Sequence, residues 1–146
     1  MKYQPVVGFG GMYNPKIWCG DNLISASQLD KMYGAGGLGY SILRLMIYPN
    51  ESDWSADVEA AKAAQANGAI IFACPWDCTD ALADKITVNG KEMKHLKKEN
   101  YEAYANHLIR YVTFMKEKGV NLYAISVQNE PDMEFTYWTP SEVVDF

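Results

Sequence analysis

Four short apolar runs, set well apart with helical patterns between them, restrict the fold of this chain more than any other feature. They are residues 6–11 (VVGFGG), 40–47 (YSILRLMI), 69–74 (AIIFAC) and 122–127 (LYAISV). Continuous apolar runs of this length suit strands buried on both faces of a parallel sheet. Residues 25–33 carry a short helical pattern ahead of the glycine-rich GAGGLG. Residues 53–67 begin at Ser52 or Asp53, both good N-caps, and stop at Gly68, a natural residue for a helix end. Residues 98–118 form the clearest helix. Tyr101, Tyr104, Ala105, Leu108, Val112 and Met115 follow the rhythm of one buried face, and Gly119 closes it. A last helix opens at Thr139, with Pro140 at its first position.

Strands alternating with helices imply crossovers and a parallel sheet. No linker divides residues 1–146, so the chain reads as one domain or a piece of one. Two α/β architectures compete. A doubly wound sheet would hold a nucleotide at a glycine-rich first turn, whereas a (β/α)8 barrel gathers chemistry at the C-terminal ends of its strands. GFGG and GAGGLG do not match a G-x-G-x-x-G turn opening a helix directly after a strand, and GAGGLG precedes the second strand. The barrel is the better expectation.

Composition removes several functions. A net charge of −5 argues against a nucleic-acid partner. No apolar run is long enough to span a membrane, and the first residues lack the apolar core of a signal peptide. A cytosolic protein, or one whose leader has been removed, fits both facts. Cys19, Cys74 and Cys78 are odd in number and lack zinc-ligand spacing, so free thiols are expected, with Cys74 in a strand core. No metal or organic cofactor is implied.

The residues at the end of each strand are chemically distinctive. Gly10 to Asn14 end the first, Arg44 and Tyr48 lie in and after the second, and Pro75, Trp76 and Asp77 come after the third. Asn129, Glu130, Pro131 and Asp132, then Tyr137 and Trp138, come after the fourth. Rings, amides and acids collected at one face suit a sugar cleft, because rings stack on pyranose faces while amides and acids bond hydroxyls. Pro131 stops the fourth strand from extending its ladder. Glycoside hydrolysis needs a carboxylic acid at the leaving oxygen, and Glu130 stands where one would be required. Three other features read as structure. His107 is expected on a helix as a packed or solvated residue, 91–98 (KEMKHLKK) as a solvated loop and helix entry with His95 in the loop, and Asp77 as bonded within its own turn.

On GFGGM (8–12), YSILRLMI (40–47), ACPW (73–76), YVTFMKEKGVNLYAISVQNEPD (111–132) and YWTPSEV (137–143), the chain resembles glycoside hydrolase family 30, most closely the bacterial glucuronoxylan endo-β-1,4-xylanases of its subfamily 8. The resemblance implies a secreted retaining enzyme acting on xylan or glucuronoxylan. It implies Glu130 as general acid/base, Asn129 as contact to the sugar 2-hydroxyl and Arg44 as support for the catalytic carboxylates. Trp76, Trp138 and Tyr137 would line the cleft, with core packing the alternative for both tryptophans. The family barrel is much longer, and this chain matches its N-terminal half, strands one to four. Retention needs a second carboxylate about 5–5.5 Å from the first, which the family supplies from strand seven. Asp132 and Glu134 share the loop of Glu130 and cannot attack from the opposite side. The isolated chain is therefore expected to lack a nucleophile and to be inactive alone. Other family activities, glucosylceramidase-like or β-1,6-glucanase, share Asn-Glu-Pro. A non-catalytic half-barrel that binds carbohydrate or self-associates through its open edges is the remaining reading.

Overall fold

The computed structural model describes residues 3–20, 22–133 and 135–146. Four parallel strands form its centre: β1 (Gly10–Tyr13), β2 (Ile42–Ile47), β3 (Ile70–Pro75) and, after the hairpin strands β4 (Ala83–Val88) and β5 (Lys91–Leu96), β6 (Leu122–Ile125). Their order is β1-β2-β3-β6, each paired in parallel with the next. Helices α2 (Ala26–Tyr33), α3 (Val58–Ala66) and α4 (Tyr101–Glu117) make the crossovers. The short α1 (Pro15–Trp18) comes directly after β1. The architecture is the first half of a (β/α)8 barrel, as the alternation of runs and helices implies.

Register separates the two faces of this sheet. Met12, Arg44, Phe72 and Ala124 are partners in one row, so they share a face. Leu43, Leu45, Ile71 and Ala73 point the other way and are buried beneath the helices. The inner face is only partly buried: Met46 and Cys74, near the C-terminal strand ends, are enclosed. Gly10, Met12, Ile42, Arg44 and Phe72 line an open groove along it. The expectation of strands buried on both faces therefore holds on the helix side and at the C-terminal strand ends, where Asn14 covers Met46, and fails over the lower inner face, which lines the groove.

Boundaries moved where pairing decided them. The first strand begins at Gly10 rather than residue 6, because its partner β2 starts at Ile42 and leaves nothing beside Val6 and Val7, both exposed. The fourth strand ends at Ile125, and as an edge strand it leaves Tyr123 exposed. The second helical segment opens with a 3-10 turn, Glu51–Asp57, which tucks Trp54 and Asp57 inside before α3 begins. In α4 the buried face is Tyr104, His107, Leu108, Tyr111 and Met115. It is rotated slightly from expectation, with Val112 outside at 37% exposure. Gly119 comes next with φ +84°, a left-handed conformation that glycine adopts without a steric penalty. Cys74 and Cys78 are buried and Cys19 is exposed, all three as free thiols.

The largest departure is residues 91–98. They are not a solvated loop: β4 and β5 form an antiparallel hairpin. The hairpin is inserted between β3 and α4. It pairs in parallel with the two-residue β7 (Thr136–Tyr137), which lies between β6 and the last helix α5 (Pro140–Asp145). Two strand-end loops are thereby joined into a second small sheet above the barrel ends. The last helix α5 opens at Thr139 and Pro140 as the sequence suggests, and the structure adds a capping box: Thr139 Oγ1 accepts from Glu142 N, and Glu142 Oε2 accepts from Thr139 N at 2.7 Å.

Candidate active site

The fourth barrel strand delivers its acid through a tightly bonded turn. Ser126 N donates to Ala73 O at 3.1 Å, and Asn129 N donates to Pro75 O at 2.9 Å, so pairing to the third strand continues past the end of β6. Gln128 Nε2 donates to Trp76 O at 2.5 Å and to Asn129 O at 3.0 Å. At Glu130 the backbone turns into the left-handed region, with φ +42°. That conformation costs a non-glycine residue on the order of 1–3 kcal/mol. Pro131 comes next, and Met133 N closes the turn on Glu130 O at 2.9 Å. The result is an exposed Glu130 side chain on a fixed backbone.

Arg44 stands half-buried in the middle of β2, on the inner face. Its Nη2 donates to Asn129 Oδ1 at 2.6 Å. Asn129 Nδ2 in turn faces Glu130 Oε2 at 3.4 Å, a long contact. Arg44 therefore reaches Asn129 rather than Glu130 itself. An amide whose oxygen is held by a guanidinium must present its NH2 outward, so Arg44 sets which way Asn129 faces.

The aromatic residues divide by exposure. Trp76 is 7% exposed and held between two rings: Trp18 meets it edge-on at 5.1 Å between centroids, and Phe135 at 5.4 Å. Trp18, on α1 just past the first strand end, is 61% exposed. Sequence reasoning missed Trp18. Its signal was an aromatic residue close behind a barrel strand, masked by the mixed character of KIWCG. Trp138 is 3% exposed and packs against Tyr101, Tyr104 and Phe146. It lies in the packing beneath β7, so the core-packing alternative describes it. Tyr137 is half-buried in β7, paired with His95.

Asp77 bonds across the molecule instead of within its own turn. Its Oδ1 accepts from Thr136 Oγ1 at 2.8 Å and its Oδ2 pairs with Lys94 Nζ at 2.9 Å, while Cys78 N donates to Thr136 Oγ1 at 2.8 Å. This network welds the third-strand loop to the segment after Glu130. Lys94 also pairs with Asp80. His95 is a strand residue, with Nδ1 3.2 Å from Asp84 and Nε2 2.7 Å from Glu142. Burial would raise the Glu142 carboxyl, but the Thr139 N–H, His95 and the Thr139 hydroxyl together hold it below its usual range. His107 is packed in the core, and burial depresses its basicity.

Asp57 is the most perturbed acid. It is 1% exposed, and neither carboxylate oxygen has a protein hydrogen bond. Burial pushes it up to about 8, and the nearby Tyr48 offsets only part of that. The Tyr48 hydroxyl directs its hydrogen at Asn14 Oδ1, 3.0 Å away. No group of three or more metal-ligating side chains occurs among the described residues. Glu134 lies outside them.

The Glycosyl hydrolase family 30 TIM-barrel domain matches residues 29–146. Glucuronoxylanase XynC of Bacillus subtilis strain 168 is 48% identical over 98% of this chain, which corresponds to 34% of that protein. A family 30 endoxylanase from Clostridium papyrosolvens superposes with TM-score 0.79 at 42% identity, covering 88% of this chain and 35% of that one. A family 30 subfamily 8 xylanase from Clostridium acetobutylicum superposes with TM-score 0.80 at 32% identity, covering 99% and 38%. The chain thus spans about a third of the length of the relatives it matches. With the family domain matched from the middle of α2 to the last residue, the chain belongs to glycosyl hydrolase family 30.

Proposed function

We propose that this chain is the acid/base half of a secreted, retaining endo-β-1,4-xylanase that cleaves xylan or glucuronoxylan. The observation that carries the reading is the series Arg44, Asn129, Glu130 at the end of the fourth barrel strand. Glu130 is exposed on a fixed turn, within reach of a substrate lying across the strand ends. It donates its proton to the departing glycosidic oxygen. The resulting carboxylate then takes a proton from the water that releases the glycosyl-enzyme. Asn129, oriented by Arg44, bonds the 2-hydroxyl of the sugar being cleaved. Trp18 and Trp76 give the cleft an aromatic wall, and Tyr137 and the enclosed Trp138 support its rim.

The nucleophile of this reaction is assigned to sequence outside the 146 residues, which agrees with the share of the relatives that the chain covers. By themselves the 146 residues should release no sugar from glucuronoxylan. The test is a substrate panel on the polypeptide that carries this chain: glucuronoxylan, a β-1,6-glucan and an aryl β-glucoside, each with the parent and with Glu130→Gln. Hydrolysis of xylan that falls by about 100- to 10,000-fold in the variant is expected. Turnover of the β-1,6-glucan or the aryl glucoside in preference to xylan would overturn the substrate. An undiminished Glu130→Gln enzyme would overturn the acid/base assignment.

A further inference from the structure

A groove runs beside the acid-bearing turn, between it and the hairpin. Val88, Asn89, Lys91 and Met93 form one wall, and Asp132 and Met133 the other. Its volume, about 370 Å³, lies within the range of small-ligand sites. Both walls are anchored. The turn that carries Asp132 and Met133 is closed by Met133 N on Glu130 O. The hairpin is held by its pairing to β7, by Lys94 on Asp77 and Asp80, and by His95 on Glu142. The groove is therefore shaped before any ligand arrives.

Its chemistry is that of a sugar site. Met93 is half-buried and Met133 is 49% exposed, so two thioether side chains supply apolar surface for a pyranose face. Asn89, Lys91 and Asp132 are exposed donors and acceptors at the rim. Lys85 and Lys94 of the hairpin are engaged by Glu92, Asp77 and Asp80, whereas Lys91 has no ion-pair partner among the described residues. The acid protonates the oxygen that departs with the leaving group, so the leaving sugar must lie against the loop carrying the acid. Asp132 and Met133 are within one turn of Glu130. We propose that this groove is the leaving-group subsite for the xylosyl chain, with Met93 and Met133 as its floor and Lys91 and Asp132 bonding sugar hydroxyls. The inference rests on the reading of the chain as the acid/base half of a xylanase.

Methyl-labelled methionine reports on the groove directly, because Met93 and Met133 line it while Met46 and Met115 are buried elsewhere. The protein is titrated with xylotetraose and, separately, with a β-1,6-linked gluco-oligosaccharide, following methionine methyl and tryptophan indole resonances. Xylotetraose should shift the Met93 and Met133 methyls and leave those of Met46 and Met115 in place. Lys91→Ala and Asp132→Ala, both surface changes, should each weaken that binding by about 2- to 10-fold. If xylotetraose moves only the Trp18 and Trp76 signals, the groove is not the subsite, and the xylanase reading survives. If the groove methyls answer the β-1,6-linked sugar and not xylotetraose, the xylosyl assignment falls here and in the function alike. Silence of the groove methyls toward both sugars overturns the subsite.

Discussion

At the scale of single residues, two carboxylates have opposite circumstances. Glu130 is lifted into solvent on a strained turn, whereas Asp57 is enclosed with no protein hydrogen bond to either oxygen. Burial raises Asp57 to about 8 from an ordinary 3.8. The folded protein therefore holds a proton there that the unfolded chain releases. Its stabilising contribution is complete below about pH 4 and is lost as the pH rises through about 8, with an upper bound on the order of 5 kcal/mol. Asp57→Asn keeps the shape and removes the ionisation. Urea unfolding from about pH 4 to about pH 9 should show the parent losing stability through that window, with the variant flat across it. Equal slopes would mean that Asp57 is solvated in the folded state. The candidate site was legible at the same scale where the chain is contiguous, since Gln128 to Asp132 stand in a row behind an apolar run. It was illegible where partners are distant. Nothing local to Asp77 announces Thr136 or Lys94, and nothing in KIWCG announces that Trp18 meets Trp76.

At the scale of elements, the long helices were readable because their caps and periodicity are local, and the hairpin was missed although its turn is local too. Residues 89 and 90 are Asn-Gly, with φ of +50° and +78°. Two such residues between short alternating runs are a strong hairpin signal. The density of lysine in KEMKHLKK obscured it, since those charges suggest a solvated loop. In the structure they serve the sheet instead, through Lys85 with Glu92, Lys94 with Asp77 and His95 with Glu142. Gly90→Val tests the turn. A β-branched residue at φ +78° is strained by about 1–3 kcal/mol. The variant should lose stability by that order in thermal unfolding, and backbone amides of 83–96 should exchange faster than those of α4. Unchanged exchange in 83–96 would show that docking to β7 and α5, not the turn, holds the hairpin. The capping box of α5 gives a second element-scale test. Thr139→Ala should cost about 1 kcal/mol and loosen α5 without touching the four-stranded sheet.

At the scale of the whole molecule, the four barrel strands were foreseeable from their apolar runs, but their exposure was not, because burial depends on what stands opposite. One face of the sheet is closed by helices, while Met12, Ile42, Arg44 and Phe72 open onto a groove on the other. Each end of the sheet also carries an unsatisfied edge, since β1 pairs only with β2 and β6 only with β3 among the described residues. Unpaired edges beside exposed apolar residues such as Tyr123 and Ile125 recruit further strands. A β6 edge is complementary in direction to a β1 edge in a parallel barrel, so two copies can offer each other the missing neighbours. The 146-residue protein should consequently form dimers or larger species as its concentration rises, as read by multi-angle light scattering. Ile125→Lys places a charge on the β6 edge, where its Cβ faces the helix side, and should shift the distribution toward monomer while far-ultraviolet circular dichroism stays the same. A parent that remains a sharp monomer at all concentrations would show that the inner face and both edges are tolerated in water. Association insensitive to Ile125→Lys would place the contact on the inner face instead of the strand edge.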